Sequence, residues 1–526
     1  MQEIAPAGVL DYSSRWPNLN ALGAFNGYGW PANAVGNFRE HLAAYAAQLT
    51  TISPFIQYGT NLSISNLNGA DGLRPQPKIN HHALGITEEE TEDLAEAFEH
   101  IWQEWASSPF SDRALQAPFG VQTATAVRRA YDSGEALLSI DWTPRLGSRF
   151  GTTVHYVEPQ RIARAGVIQQ PPGSPNQILQ GVETDPNGQI VALYLMPRMP
   201  QPGHQHAVIY NPAGKRHDAV TPWGRPLLKL SVLDRRAPNV NRGISPIASA
   251  IVRAFQLDQL TDLNLQQQAA QLAVAWALTT DLSPQEASGA IISAEERQER
   301  FLARLDEIET TLKTNPVKLP DGGKLSVLPT GSKLEAVKAS APTQGYDIFN
   351  KRLLTELARA FAISYSELTG DFSQDSFSSA KMSGEGPWSI VYRRRAEFLA
   401  PLYQTAYEAV IEEAVAKGYV ELPGDVSFYG DRAALLNCAW IGPTKPIIDP
   451  AKEASANDVE LSNGSTSLAQ IARERGTDWR DTIDQRSREL AYAKRKGVDI
   501  NPAKNSKIEP DGDEPKKPKK GASDDE

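Results

Sequence analysis

The apolar positions of this chain change period several times, and the longest regular run begins at Ser245. Ile247, Ile251, Ala254 and Phe255 recur at helical spacing, and Leu260 and Leu263 continue the stripe. Ser245 can cap this helix, and Pro246 suits its first turn, where a missing N–H costs nothing. The pattern predicts a helix over residues 246–278. From Leu263 to Thr280 no residue is charged, yet Asn264, Gln266, Gln267, Gln268 and Gln271 sit among Leu and Ala. Such a surface is too polar for a lipid core and too uncharged for an ordinary solvent face. It predicts burial against other helices, within one protomer or between copies.

Upstream, residues 1–35 are rich in Gly, Pro, Asn and Trp without periodicity and read as an extended arm. A helix is expected over 37–49 and a loop over 61–78. Thr87 and Glu90 form a capping-box pair, followed by Leu94, Phe98, Ile101, Trp102 and Trp105 on one helical face. Another helix is expected over 121–131, ended by Ser133-Gly134, then strands over 136–142 and 153–157. Stretches 178–182 and 189–195 flank Asp185-Pro-Asn-Gly188, a hairpin signal.

Downstream, 284–312 reads as a charged helix with Glu295, Glu296, Arg297, Glu299 and Arg300 on solvated faces. Short strand-like pieces follow over 317–337, around Asp321-Gly-Gly323 and Thr330-Gly331. A second strong helix is expected over 344–362, with Phe349, Leu353, Leu354, Leu357 and Phe361 at helical spacing. Residues 364–387 break the pattern with Gly370, Gly384, Gly386, Pro387 and many serines. Helix resumes over 388–417 and stops at Gly418, and a last helical region covers 451–494. From Asn501 onward, Pro, Lys, Asp and Glu predict disorder. No internal repeat is present.

Composition narrows the classes. The 526 residues are 40% hydrophobic and 22% charged, a globular balance with length for several cores. A formal net charge of -10 argues against a nucleic-acid binder held by bulk positive charge, while leaving room for a local basic patch. Cys438 is the only cysteine, which excludes an intramolecular disulfide and a cysteine-based zinc site and fits a reducing compartment. Residues 1–16 lack a basic region followed by an apolar run, and no stretch reaches the ~18 apolar residues of a spanning helix. A soluble, intracellularly made protein without a membrane segment is expected.

Chemistry is sparse. Gly322-Gly-Lys324 lacks the glycine spacing of a phosphate-binding loop. His81 and His82 would point apart in a strand, with no acidic partner at ligand spacing. Asp371 and Asp375 lie in a serine-rich stretch without the regular oxygen ligands of a cation loop. No glycine-elbow serine occurs. No catalytic residue, metal or cofactor is therefore expected. Triads are spatial, so a nuclease or protease stays open as an alternative. Lys318, Lys324, Lys333 and Lys338 form a basic series that can face phosphates, an acidic partner or solvent.

Three ordered blocks resemble the lambda-like family of tailed-phage portal proteins. The first is Asp234-Arg-Arg-Ala-Pro-Asn-Val-Asn-Arg-Gly-Ile-Ser-Pro246, a basic loop with Arg-Gly-(aliphatic)-x-Pro before a long helix. The second is Leu357-Ala-Arg-Ala-Phe-Ala-Ile-Ser-Tyr-Ser-Glu-Leu-Thr-Gly-Asp371, followed by Phe377-Ser-Ser-Ala-Lys381. The third is Trp440-Ile-Gly-Pro443, Ile448-Asp-Pro450, Lys452-Glu-Ala-Ser-Ala456 and Asn463-Gly464. The hairpin at Gly181-Val-Glu183 and Asn187-Gly188 fits as well. Order and spacing agree over residues 120–490. Met382-Ser-Gly-Glu-Gly-Pro387 departs from the family, which continues there as helix.

The resemblance implies an α+β, mainly helical portal fold, assembled as a ring of about twelve copies with a central channel. Double-stranded DNA would pass through it, independent of sequence, at one capsid vertex during packaging and later ejection. Implied partners are the terminase large subunit, the major capsid protein, a scaffolding protein and a head-completion adaptor. The implied location is the virion, with host cytoplasm during assembly. The implied division is an arm over 1–35, an α/β wing over 36–240 and a stem helix over 241–280. A clip over 281–342, a second stem helix over 343–363 and a tunnel loop over 364–387 follow. Wing helix and the start of the crown take 388–450, the crown 451–500 and a disordered tail 501–526.

On that division, Asp371, Phe372, Ser373, Gln374, Asp375, Ser376, Phe377 and Ser378 would face DNA in the tunnel loop. Their hydrophilic, weakly repulsive character lets duplex slide, where strong basic contacts would hold it. Lys318, Lys324, Lys333 and Lys338 would lie in the clip, against terminase, adaptor or DNA. Leu265, Gln268, Leu272 and Trp276 would meet neighbouring subunits in the stem. A non-conducting head or adaptor ring is the alternative within the same virion.

Overall fold

The computed structural model describes residues 39–496, apart from 164–167, 169, 197–213, 236–239, 274–275, 281–298, 300–301, 304–305, 307–309, 311–315, 319–323, 327–331, 337–342, 374–376 and 447–449. Helices in chain order are α1 (Arg39–Ile52), α2 (Pro54–Asn68), α3 (Glu88–Ala106), α4 (Phe119–Ser133), α5 (Ile251–Ala273) and α6 (Thr343–Phe361). Then come α7 (Tyr365–Thr369), α8 (Phe377–Arg394), α9 (Ala400–Ala416), α10 (Pro450–Ser462), α11 (Leu468–Glu474) and α12 (Trp479–Lys496). The strands are short, and the fold is α+β with helix dominant.

The described residues fall into two compact units. The larger takes residues 61–244 and 375–526 with the first turn of α1. At its centre β2 (Glu135–Trp142) pairs antiparallel with β3 (Thr152–Val157) on one side and with β8 (Leu228–Val232) on the other. A second sheet runs in the order β4 (Gln177–Leu179), β5 (Val182–Thr184), β6 (Ile190–Leu195) and β7 (Lys215–Asp218). Leu137, Val157, Ile162, Val182, Leu193, Leu195 and Leu230 from these strands bury one another.

Helix α3 begins as its sequence predicts. Thr87 Oγ1 accepts from Glu90 N at 3.2 Å, and Thr87 N donates to Glu90 Oε2 at 2.8 Å. Its stripe of Leu94, Phe98, Ile101, Trp102 and Trp105 is buried. Trp102 packs on Phe119 of α4, Tyr403 and Tyr407 of α9, and Trp440. Each such ring removed from water contributes about 1.5–3 kcal/mol, so this aromatic knot ties α3, α4 and α9 together. Trp440 lies in β13 (Cys438–Ile441), which pairs antiparallel with β1 (Arg74–Pro77).

The smaller unit takes residues 41–60 and 245–374. Ser245 Oγ accepts from Ile247 N at 3.1 Å and opens a 3₁₀ turn at Pro246–Ser249, from which α5 continues. Ile251, Ala254 and Leu257 of α5 are buried, as are Leu353, Leu354, Leu357 and Phe361 of α6. Arg253 of α5 meets Glu356 of α6 at 2.6 Å. Gly59 of α2 lets the Phe361 ring lie flat on the helix, since a Cβ there would sit 2.7 Å from Phe361 Cδ2.

Several expectations are corrected. Residues 61–68 are helix, not loop, because α2 carries on to Asn68 and Arg395 caps its C-terminal carbonyls. The expected strand 178–182 is two strands, split where Gln180 (φ 52°) and Gly181 (φ 75°) turn left-handed. The helix expected over 246–278 ends at Ala273. Trp276–Thr280 is instead β9, paired with β12 (Ser332–Ala336) in the register Trp276↔Ala336 and Thr280↔Ser332. The polar, Ala-rich run therefore closes with Trp and Thr, which favour strand. His81 and His82 lie on a short helical turn, His81–Leu84, with ring centroids 4.0 Å apart. The last helical region is three helices, broken by the left-handed glycines Gly464 and Gly476. The arm 1–35 and the tail 501–526 lie outside the described residues.

Candidate functional site

The Arg-Gly block before the long helix is a buried electrostatic knot. Glu135 opens β2 just after Gly134 ends α4, and its side chain has no exposure. Arg242 holds it with Nη2 2.7 Å from Oε1, and Nε reaches both carboxylate oxygens at 3.1 Å. Arg39 of α1 adds Nη1 at 2.9 Å, and Gly243 N donates to Oε2 at 2.7 Å. Arg242 also donates to the Gln180 and Pro159 carbonyls. Burial alone would raise the Glu135 pKa. The charges of Arg242 and Arg39, with the hydrogen bonds from Arg242 and Gly243, outweigh it and leave it lowered. Burial and Arg242 pull Arg39 down to about 10, against the opposing pull of Glu135.

Glycine is required beside this knot. A Cβ on Gly243 would collide with Gly134 O, and one on Gly134 would collide with the Ile244 backbone. The sequence offered Arg242 and Gly243 as a motif but gave no sign of Glu135, which is more than a hundred residues distant. An isolated Glu after a helix-ending glycine was the available signal. Glu413 was missed in the same way. Fully buried on α9, it accepts from Gly151 N at 2.6 Å and Thr152 N at 2.8 Å, and it pairs with Lys417 at 2.6 Å.

The Trp-Ile-Gly-Pro block has a comparable explanation. Arg395 begins a π-helical turn, Arg395–Leu399, between α8 and α9. Its guanidinium is buried and donates to Leu67 O at 3.1 Å, Asn66 O at 2.7 Å and Pro443 O at 2.6 Å. Burial without a carboxylate beside it pulls its pKa down to about 10. A Cβ on Gly442 would lie 2.8 Å from Arg395 Cζ, so this glycine makes room for the guanidinium.

The segment from Ser364 is more ordered than its serines and glycines suggest. Ser364 and Glu367 form a reciprocal capping box that starts α7, with Ser364 N donating to Glu367 Oε2 at 2.7 Å. Gly370, at φ 73°, ends that helix. Asp371, Phe372 and Ser373 follow in an exposed turn, in which Asp371 Oδ1 accepts from Ser373 N at 3.1 Å. Those hydrogen bonds hold the Asp371 carboxyl below the ordinary range. Gln374, Asp375 and Ser376 lie outside the described residues, and helix α8 already begins at Phe377 and includes Ser378.

The expected loop over 364–387 is thus a capped helix, a short turn and the first half of α8. The helix also carries Gly384, Gly386 and Pro387. Pro387 sits nearly three turns in, where its missing N–H forfeits one intrahelical bond that the rest of the helix outweighs. The Met382–Pro387 departure therefore stays helical, as the family does there.

Of the residues expected in the stem, Leu265 lies on α5 and is 59% exposed in the protomer. Gln268 and Leu272 are on the same helix, with side chains outside the described residues. Trp276 is on β9, not on the helix. Leu263 on α5, and Ile348 and Phe349 on α6, are also exposed, at 58%, 73% and 49%. Of the lysines, Lys318 ends β10 (Pro316–Lys318) and Lys324 starts β11 (Lys324–Ser326), and their Cα positions face each other across the pair. Lys333 pairs with Thr279 on β12–β9, and Lys338 lies outside the described residues. The fold thus gathers three of the four into two small antiparallel ladders.

No group of three or more His, Cys, Asp or Glu with metal-binding geometry occurs among the described residues. Among the same residues, no helix is long and apolar enough to cross a membrane. The described residues do hold buried ionic knots, and α5 and α6 carry exposed apolar side chains.

The family model for the lambda family of phage portal proteins matches residues 22–395. The chain belongs to that family. It is a bacteriophage portal protein, a component of the virion that acts as a ring in DNA packaging. The portal protein of Escherichia phage N15 is 25% identical over 506 residues, covering 95% of this chain and 88% of the relative. Portal protein B of Escherichia phage lambda is 25% identical over 421 residues, covering 79% and 77%. Among solved structures, the neck of an empty GTA particle aligns at 13% identity over 88% of this chain and 98% of the other, with a TM-score of 0.40.

Proposed function

We propose that about twelve copies of this chain close into a ring around a channel that conducts double-stranded DNA at one capsid vertex. The observation that carries this reading is the set of apolar side chains that α5 and α6 leave bare in the protomer. Leu263, Leu265, Ile348 and Phe349 are all at least 49% exposed on two helices that otherwise pack well. Apolar patches of this kind on long helices mark an interface. The 241–280 and 343–363 segments then line up as stem, with Leu265, Gln268, Leu272 and Trp276 toward neighbouring copies. Residues 281–342 serve as the clip, where Lys318, Lys324, Lys333 and Lys338 meet terminase, the head-completion adaptor or DNA.

The exposed turn at Asp371, Phe372 and Ser373, together with residues 374–378, is the DNA-facing element of the channel. On its N-terminal side the turn follows directly from the capped helix α7, which Gly370 ends. Residues 388–500 complete the wing and crown. Major capsid protein and scaffolding protein are further partners, and assembly proceeds in the host cytoplasm. The protein positions and guides DNA without catalysing a reaction, and the terminase supplies ATP hydrolysis.

Native mass spectrometry and negative-stain imaging of the purified chain test the ring directly. Closed rings with an open centre are expected, and monomer alone across several salt conditions would refute the reading. Deleting residues 372–378 should leave rings intact while reducing packaging or retention of packaged DNA. Packaging and retention equal to the parent would remove the channel assignment. The purified ring should show no ATPase or nuclease activity that tracks the protein peak.

A further inference from the structure

Helix α10 is unusual within the protomer, because none of its residues is buried. Only Asn457 and Leu461 are partly covered, which marks its inward side. A helix of this length has marginal stability in water unless packing supports it. Its outer surface carries Glu453, Asp458 and Glu460 against a single Lys452, with Val459 61% exposed among them. Those three carboxylates have no cationic partner among the described residues.

Helix α12 shows the opposite surface. Ala493 is buried and marks its inward side. Ile483 and Leu490, 48% and 37% exposed, lie on one side of the helix, while Tyr492, 56% exposed, lies on another with Arg488 and Arg495, and Arg495 and Lys496 pack on its ring. Arg488, Lys494, Arg495 and Lys496 have no carboxylate partner among the described residues. Basic residues in a last turn also complement the helix dipole. That account does not extend to Arg488, more than a turn earlier, nor to the exposed Tyr492 ring.

We infer that α10 of one copy seats on α12 of the next copy around the ring. Val459 would lie against Tyr492, and the acidic residues would meet Arg488, Arg495 and Lys496, which share its side of α12. This rests on the ring reading above and assigns a seam to it. Two different complementary patches on one chain make a head-to-tail contact, the kind that generates closed rings when the rotation closes. A two-fold dimer would instead need one self-complementary patch, which the acidic surface of α10 does not offer. The same contact buries a helix that its own protomer leaves bare.

Charge reversal in the full-length chain tests the pairing. Asp458→Lys with Glu460→Lys, and separately Arg488→Glu with Arg495→Glu, should each raise the protomer concentration for half assembly about tenfold at low salt. Combining the four substitutions should return assembly toward the parent. Circular dichroism of the free protomer should be unchanged in every variant, which separates a lost seam from a lost fold. In a Cys438→Ser background, Val459→Cys with Tyr492→Cys should yield covalent oligomer ladders on oxidation.

Rings that form as the parent does in all reversal variants, without cross-linking, would overturn the seam and leave the ring reading standing. So would an effect of the α10 reversals that the α12 reversals fail to rescue, as expected if the basic tail after residue 500 covers α10. Failure of the parent chain to form rings at any salt would overturn both.

Discussion

The Glu135 knot and the α5–α6 pair solve opposite problems. Around Glu135 the carboxylate is fully held within one protomer: two guanidinium groups and a backbone N–H surround it, and it has no exposure. On α5 and α6 one face is filled by Leu257, Leu353 and Phe361, while Leu265 and Ile348 stand in solvent. The first arrangement is complete in a single chain. The second is finished only when something covers it. A chain that assembles can thus keep its stability and its assembly in different places, so that each is altered separately.

The comparison is most exposed to failure at Glu135. Glu135→Ala leaves Arg242 and Arg39 buried without their anion and should cost about 3–5 kcal/mol. Chemical denaturation of the protomer measures this, and a loss below 1 kcal/mol would show that the knot is not the anchor described. The pH dependence follows in sign. The folded Glu135 carboxyl has a lowered pKa, so its contribution is present above the ordinary carboxylate range. It should fade as pH falls through the depressed folded value, and Glu135→Gln should flatten that acid limb of the stability profile.

Smaller effects sharpen the contrast. Thr87→Ala removes the cap of α3 and should cost about 1 kcal/mol, read in the same denaturation experiment. Leu265→Glu should change protomer stability by no more than about 0.5 kcal/mol, because the side chain already meets water. Native mass spectrometry should nevertheless show it failing to form rings, since a charge buried at a subunit seam is costly. If Leu265→Glu unfolded the protomer as Glu135→Ala does, the separation between the two regions would be gone.

Local rules carried much of this architecture in plain sight. Thr87 and Glu90 announced α3, Asp185-Pro-Asn-Gly188 announced the β5–β6 turn, and the α6 stripe of Leu353, Leu354, Leu357 and Phe361 was readable from spacing alone. Errors came where local preference was overruled or shared. Gly384, Gly386 and Pro387 argued for a loop, yet α8 runs through them. Gln180 and Gly181 cut one apolar run into two strands. The uncharged run after Leu263 hid a change from helix to strand at Trp276, because Ala, Val and Trp serve either state. Glu135, Glu413 and Arg395 were invisible for a different reason. Their partners lie far away in the chain, and no periodicity encodes a long-range ion pair.

Arg395 has a consequence for how this sequence can drift. One planar guanidinium collects the carbonyls of Asn66, Leu67 and Pro443, and Gly442 leaves the space it occupies. Lysine cannot span three such acceptors with the same fork. A side chain at Gly442 would collide with Arg395 and, closer still, with Leu73 Cδ2 at 2.5 Å, and a shorter residue at 395 leaves three carbonyls without its hydrogen bonds. Each position therefore constrains the other. In a library of single substitutions both should be intolerant, and lineages that escape should carry paired changes rather than either one alone.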